Sequence, residues 1–222
     1  MPKNIVITGA NRGIGLQLTK QYVNQGCHVY AVCRQASDEL NQLTNVEVIS
    51  GIDVTDSACL TDLAAALRGI AIDVLINNAG ILRNETLTDF NNQTIVEQFL
   101  VNALAPLNVC QHLLANLSSG SKIALVTSRM GSIADNGSGG RYGYRMSKAA
   151  LNAGAVSLAK DLAADGIAVG IYHPGYVQTD MTAGRGDIVP EQAAERIAGL
   201  IASLDMNNSG VFYHSNGDVL PW

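Results

Sequence analysis

Ile5-Val6-Ile7-Thr8-Gly9-Ala10-Asn11-Arg12-Gly13-Ile14-Gly15 is the stretch that decides the fold. Its first four residues are aliphatic or β-branched without polar alternation, the pattern of a strand covered on both faces. The eight residues T-G-A-N-R-G-I-G at 8–15, which begin on the last of these four, open directly into a helical pattern over about 13–25. Glycines at 9, 13 and 15 permit a tight turn, a close backbone approach and an anion resting on the first N–H groups of the helix. With 22 glycines in 222 residues, three at one such spacing arise by chance only roughly 0.2 times. Their place between strand and helix therefore carries the weight.

Working outward, the same alternation repeats. Short apolar runs stand at 29–33 (VYAVC), 46–50 (VEVIS), 73–77 (DVLIN), 122–127 (KIALVT) and 167–172 (IAVGIY), with a further edge candidate, GVFY, at 210–213. Helical patterns lie between them over about 56–68, 91–117, 143–164 and 190–204. Asp56 is placed to cap the second of the five helices and Pro190 to begin the last. Strand and helix in alternation predict an α/β fold, a Rossmann-like, doubly wound parallel sheet with right-handed crossovers and helices on both faces. No linker or repeat divides the chain, so residues 1–222 are expected to form a single nucleotide-binding domain.

Composition narrows the function classes. The chain is 47% hydrophobic and 15% charged, with a net charge of −5. It can bury a good core, and its acidity disfavours nucleic acid or an anionic membrane as partner. Cys27, Cys33, Cys59 and Cys110 form no C-x-x-C pair and sit mostly in apolar context, which reads as buried free thiols in a reducing cytoplasm. His28, His112, His173 and His214 lack ligand spacing, so no metal site is expected. The opening Met-Pro-Lys-Asn runs straight into a strand instead of a signal peptide, and no apolar stretch is long enough to span a bilayer.

Chemistry enters at Y-R-M-S-K, where Tyr144 and Lys148 stand four residues apart and so share one helix face. A free tyrosine titrates near ~10. A cation about 4 Å away contributes roughly 4 kcal/mol at an effective dielectric of ~20, lowering that value by about three units. The expectation is an acid/base tyrosine tuned by its lysine.

Cofactor choice turns on the end of the second strand, where an Asp or Glu would meet a free 2′-hydroxyl and cations a 2′-phosphate. Arg34 stands there, with Asp38 and Glu39 too late, and Arg12 in the glycine loop would approach the same ribose from the other side. Two arginines clamping a phosphate favour NADP(H) over NAD(H).

TGxxxGxG at 8–15, N-N-A-G at 77–80, Ser128 and Tyr144-x-x-x-Lys148 occur in the order found in short-chain dehydrogenases/reductases, which the chain resembles from Thr8 to about Met181. S-R-M-G-S-I, Y-R-M-S-K-A-A-L-N, P-G-Y-V-Q-T-D-M and the final Pro221-Trp222 look most like the C-factor and sniffer-type carbonyl reductase branch.

The resemblance implies a role for each matched position. Gly9, Asn11, Arg12, Gly13, Ile14 and Gly15 would hold the dinucleotide with Arg34. Asp53 would hold the adenine amino group with Val54 beside it, and Asn78, Ala79 and Gly80 would line a ribose while Asn77 braces the sheet. Pro174, Gly175, Val177 and Thr179 would close on the nicotinamide and pyrophosphate. Asn102 would carry a relay water on its backbone, Ser128 polarise a carbonyl, Tyr144 donate the proton, and Lys148 lower the tyrosine's pKa and bind the ribose.

Only about eight residues separate Met181 from Pro190, which implies an open substrate pocket with Met130, Tyr176 and Met181 as walls beside Ser128 and Tyr144. The implied activity is NADPH-dependent reduction of a small aldehyde or ketone, in a possible homodimer. Two alternatives stay open: a nucleotide-binding signalling protein of C-factor type, and a sugar-nucleotide epimerase or dehydratase, against which the short chain speaks.

Overall fold

Apolar strands without polar alternation have two faces to bury, and the computed structural model, which describes residues 2–222, shows how. Strands β1 (Asn4–Thr8), β2 (His28–Val32), β3 (Val46–Ile49), β4 (Val74–Asn77), β5 (Lys122–Val126), β6 (Ala168–His173) and β7 (Phe212–His214) form one parallel sheet in the order β3-β2-β1-β4-β5-β6-β7. Val6 stands between Tyr30 and Leu75 in this register. Successive β1 side chains alternate between two cores: Val6 faces one built with Leu60, Leu63, Val109, Leu151 and Ala155, and Ile5 and Ile7 face the other, built with Leu16, Leu18, Ala194 and Ile197.

The first core is covered by α3 (Ser57–Ala66), α5 (Ala105–His112) and α6 (Tyr142–Asp161), the second by α1 (Gly13–Asn24) and α7 (Pro190–Ala202). Asp56 Oδ1 accepts from Ala58 N at 2.8 Å, and Pro190 is the first residue of α7. A short α2 (Asp38–Asn41), capped by Ser37, was not legible as a helix. The strand order reverses between β1 and β4, so the crevice at their carboxyl ends is where a ligand fits.

Two elements depart from the sequence reading. The helix expected over 91–117 is divided into α4 (Asn92–Phe99), a π-helical turn (Leu100–Leu104) and α5. Pro106 contributes the break, because without an N–H it cannot serve as the α-helical donor to the carbonyl of Asn102, four residues earlier. The last strand begins at Phe212 instead of 210, since Gly210 takes φ +79° and donates its N–H to Val169 O at 2.8 Å before the strand starts.

Beyond β7 the chain returns. Leu220 N donates to Phe212 O, Trp222 stacks on Phe212 with ring centroids 5.4 Å apart, and Ala134 N donates to Trp222 O at 3.0 Å. Cys27, Cys33 and Cys110 are buried and unpaired, as expected. Among the described residues no helix is long and apolar enough to cross a membrane.

Candidate active site

Gly9 and Gly13 take φ +66° and +53°, the left-handed region that side chains disfavour. A Cβ on Gly15 would lie 2.2 Å from Gly9 O and 2.5 Å from Asn78 Nδ2. The turn is stitched to the end of β4: Asn78 Nδ2 donates to Thr8 O and Gly9 O at 3.1 Å, and Thr8 Oγ1 accepts from Asn78 N and Ala79 N. Bracing is thus the work of Asn78. Asn77, expected to do it, donates only to Cys110 Sγ and leaves its buried Oδ1 unpartnered. A second tie runs from the end of β2, where Ser37 Oγ donates to Asn11 O at 2.7 Å. The residues 174–182 fold back over the turn, bringing Thr179 Cγ2 to 3.4 Å from where a Gly13 Cβ would stand. Val177 is buried there and pairs with Ile188.

The arginine clamp is assembled differently from expectation. Arg12 Nη1 donates to Asp180 Oδ2 at 3.0 Å, so its guanidinium ties the loop to the glycine turn instead of standing free beside Arg34. Both partners are largely exposed, and such a pair is worth ~0–1 kcal/mol. Arg34 lies exposed at the end of β2. Asp53 is half-buried, with its carboxyl held below the usual range by the Thr55 hydroxyl and N–H and, less strongly, by the Arg34 charge. These glycines and N–H groups fit a dinucleotide cradle, with an anion at the start of α1.

Asn102, Ser128, Tyr144 and Lys148 are all buried. Ser128 ends the strand segment that becomes a 3-10 turn (Arg129–Gly131), and its Oγ accepts from Met130 N at 3.1 Å. Gly131 explains the spacing of that turn: a Cβ there would lie 2.6 Å from Lys148 C and 2.8 Å from Lys148 O, so only glycine lets the serine turn rest on α6. Asn102 sits in the π-helical turn, donates through Nδ2 to Ile81 O (2.8 Å) and Ser147 Oγ (3.1 Å), and accepts from Ile81 N (2.8 Å). Its side chain is therefore committed to holding the β4 loop against α6. Pro106 cannot supply the α-helical donor to its backbone carbonyl, so that carbonyl stands outside the α-helical ladder. A Gly80 Cβ would approach Asn102 Oδ1 and Lys148 Nζ, so glycine there keeps the lysine's surroundings open.

The expected tuning of Tyr144 by Lys148 is not what the geometry gives. Lys148 Nζ donates to Val126 O at 3.0 Å and lies 5.9 Å from the Tyr144 ring centroid, over the ring. Burial pushes the phenol up, opposed by a hydrogen bond with the Ser128 side chain and by the Arg141 charge. Burial also lowers Lys148 to about 8. The cause is shared: both groups lie in an interior that disfavours their charged forms.

That shift has a measurable sign. Folded Lys148 keeps its proton only to about pH 8, whereas in the unfolded chain it keeps it to its ordinary 10.5. Between these values the unfolded chain binds more protons, so this group's cost to stability is full below the window and fades as pH rises through it. Urea unfolding of nucleotide-free wild type and Lys148→Met should therefore show wild type gaining on the variant between about pH 7.5 and about pH 10. A constant difference would contradict the depressed value.

Glu85, which the sequence reading missed, organises the entry to α6. It is 2% exposed, accepts through Oε1 from Thr94 Oγ1 (2.8 Å) and Gln98 Nε2 (2.6 Å), and through Oε2 from Gly143 N (3.2 Å), one residue before Tyr144. A Gly143 Cβ would overlap Gln98 and Ile95, so α4 and α6 touch through this glycine. The signal available in sequence was a lone glycine inside a helical pattern beside the tyrosine. Of the expected walls, Met130 is half-buried next to Ser128, while Tyr176 and Met181 are 46% and 44% exposed on the returning loop.

Residues 3–188 match the family model for short chain dehydrogenases. The chain is 35% identical over 98% of its length to 1-hydroxy-2-glutathionyl-2-methyl-3-butene dehydrogenase of Rhodococcus sp. (strain AD45), covering 99% of that protein. It is 40% identical to the C-signal of Myxococcus xanthus over 68% of this chain and 93% of that protein. Among solved structures, the NADPH-bound carbonyl reductase from chicken fatty liver superposes with a TM-score of 0.91 at 29% identity, over 100% of this chain and 99% of that one. The chain belongs to the short-chain dehydrogenase/reductase family of oxidoreductases. Within it, it stands in the branch that holds the C-signal and the carbonyl reductases.

Proposed function

We propose that this single-domain chain reduces a small aldehyde or ketone to the alcohol with NADPH, acting in the cytoplasm, where its buried unpaired thiols stay reduced. The observation that carries the reading is the burial of Ser128, Tyr144 and Lys148 together beside Gly80 and Asn102, at the carboxyl ends of β4 and β5. When bound, the reduced nicotinamide supplies hydride to the carbonyl carbon. Ser128 hydrogen-bonds the carbonyl oxygen, and Tyr144 gives its proton to the oxygen as negative charge grows there. A phenol held protonated by burial is in the form a proton donor requires. Lys148 hands protons on from the Asn102 carbonyl water and holds the ribose, a role its value near 8 suits. Gly9, Gly13, Gly15, Asn11, Ile14 and Ala79 form the cradle, and Pro174, Gly175, Val177 and Thr179 close it. NADPH loss across aldehydes, ketones and quinones tests the reading, and no oxidation of the cofactor by any of them would remove it.

Preference for NADP(H) rests on Arg34 and is supported by the NADPH-bound structural neighbour. Arg34→Asp should weaken NADPH binding by about 10- to 100-fold, while leaving NADH within about threefold. Titration of nucleotide fluorescence measures both, and an unchanged NADPH affinity would refute the assignment.

The likeness to the C-signal favours a second reading, in which nucleotide binding serves signalling and turnover is dispensable. A Tyr144→Phe protein that retained its effect in cells would select it. A homodimer is supported by the exposed Val96 and Phe99 of α4, Leu100 and Leu104 of the π-helical turn and Met146 of α6. Sedimentation equilibrium decides between one copy and two.

A further inference from the structure

Three arginines surround Met130, and their partners differ. Arg129 Nε is paired with Asp135 Oδ2 at 2.7 Å. Arg145 is occupied by structure: it donates to the carbonyls of Gly139, Gly140 and Met130 and to Ser138 Oγ. Arg141 donates only to the Met130 thioether, 3.6 Å away and a weak acceptor. Among the described residues no carboxylate lies within ion-pairing distance of it. Glu85, whose backbone carbonyl accepts from Arg141 N at 2.9 Å, is buried with its carboxylate turned to Thr94, Gln98 and Gly143.

The backbone at this position is also unusual. Arg141 takes φ +52°, following Gly139 at +61° and Gly140 at +63°. A side chain in this region is disfavoured, and such conformations persist where the surroundings enforce them. Here the Glu85 carbonyl and the Arg145 guanidinium do so from either side. The result aims an exposed, unneutralised guanidinium from the residue just before α6, three positions ahead of Tyr144, and close enough for its charge to act on the phenol.

We propose that Arg141 is an anion subsite beside the catalytic centre, and that the carbonyl substrate carries a carboxylate that this guanidinium binds while its carbonyl meets Ser128 and Tyr144. The proposal rests on the reductase reading and names its substrate class. Arg145, which braces the loop, is a positioning residue for the subsite, and the apolar body of the substrate lies on Met130. An unpaired guanidinium forms a bidentate ion pair with a carboxylate, whereas an ester of the same shape offers it an uncharged carbonyl acceptor and no ion pair.

The test compares 4-carboxybenzaldehyde with methyl 4-formylbenzoate at saturating NADPH. In wild type the acid should have a kcat/KM at least about tenfold above the ester at low salt, and the ratio should fall toward one as salt rises from about 0.01 M to about 0.5 M. Arg141→Gln should bring the ratio to about one, and Arg141→Lys should restore most of it. Because the salt series needs no variant, poor folding of Arg141→Gln does not blunt the test. Turnover of both compounds at equal efficiency in wild type, insensitive to salt, overturns the subsite and leaves the reductase reading standing. No turnover of either compound or of any other carbonyl removes both.

Discussion

Tyr144→Phe is expected to lower kcat by about 10²- to 10⁴-fold while NADPH binds as in wild type. The phenyl ring is retained, so the packing of a residue only 8% exposed is kept and Lys148 still lies over the ring. What disappears is one hydroxyl, a buried proton donor whose ionisation the Ser128 side chain eases. Stopped-flow kinetics at saturating NADPH, with nucleotide affinity measured separately, divide the chemical step from binding. A variant with near wild-type kcat would mean that another group protonates the product oxygen, and the assignment of Tyr144 would fall.

The second large effect comes from a residue that touches no reactant. Gly131→Ala places a methyl group 2.6 to 2.9 Å from the backbone of Lys148 and Ala149. Backbone in the middle of a 20-residue helix cannot swing aside as a side-chain tip can. Either the 3-10 turn lifts off α6 or α6 shifts. Overpacking of this kind costs ~1–3 kcal/mol, a fall in Tm of roughly 2–12 °C for a domain of this size. Because the turn carries Ser128 and the helix carries Tyr144, kcat should fall by at least about 10-fold along with Tm. Calorimetry and turnover on one preparation read both, and a stable, fully active variant would show that this contact does not set the serine's position.

Much of this was legible in the chain. Runs such as IVIT and KIALVT have no polar alternation, which only a sheet covered on both sides accommodates, so strand type, number and parallel sense could be read off. The Tyr144–Lys148 pair and the glycine turn were also within reach, because each depends on spacing along one element or at one loop, whereas Asn102 and Ser128 were implied by the family resemblance. What escaped depends on who meets whom across elements. Arg12 finds Asp180, 168 positions away, a partner that nothing beside it in the chain announces. Lys148 finds the Val126 carbonyl, so a four-residue spacing that placed two groups on one face did not fix where the ammonium points. Glu85 was invisible because nothing in its neighbours announces that Gln98 and Gly143 will surround it. The break in the long helix was signalled by Pro106, but a proline near a helix start and one inside a helix look alike until the π-helical turn is seen.

The stacking of Trp222 on Phe212, with the Trp222 carbonyl receiving Ala134 N, makes the strand at the sheet's edge and the Ser128 loop mechanical neighbours. Residue 134 lies six positions after Ser128 and β7 lies at the far margin of the sheet, yet Trp222 meets both, β7 through its indole and Ala134 through its backbone carbonyl. Truncating that ring would loosen the seat of the Trp222 carbonyl and be felt as faster amide exchange and broader motion over residues 128–135, in the serine turn and not only at the margin where the cut was made.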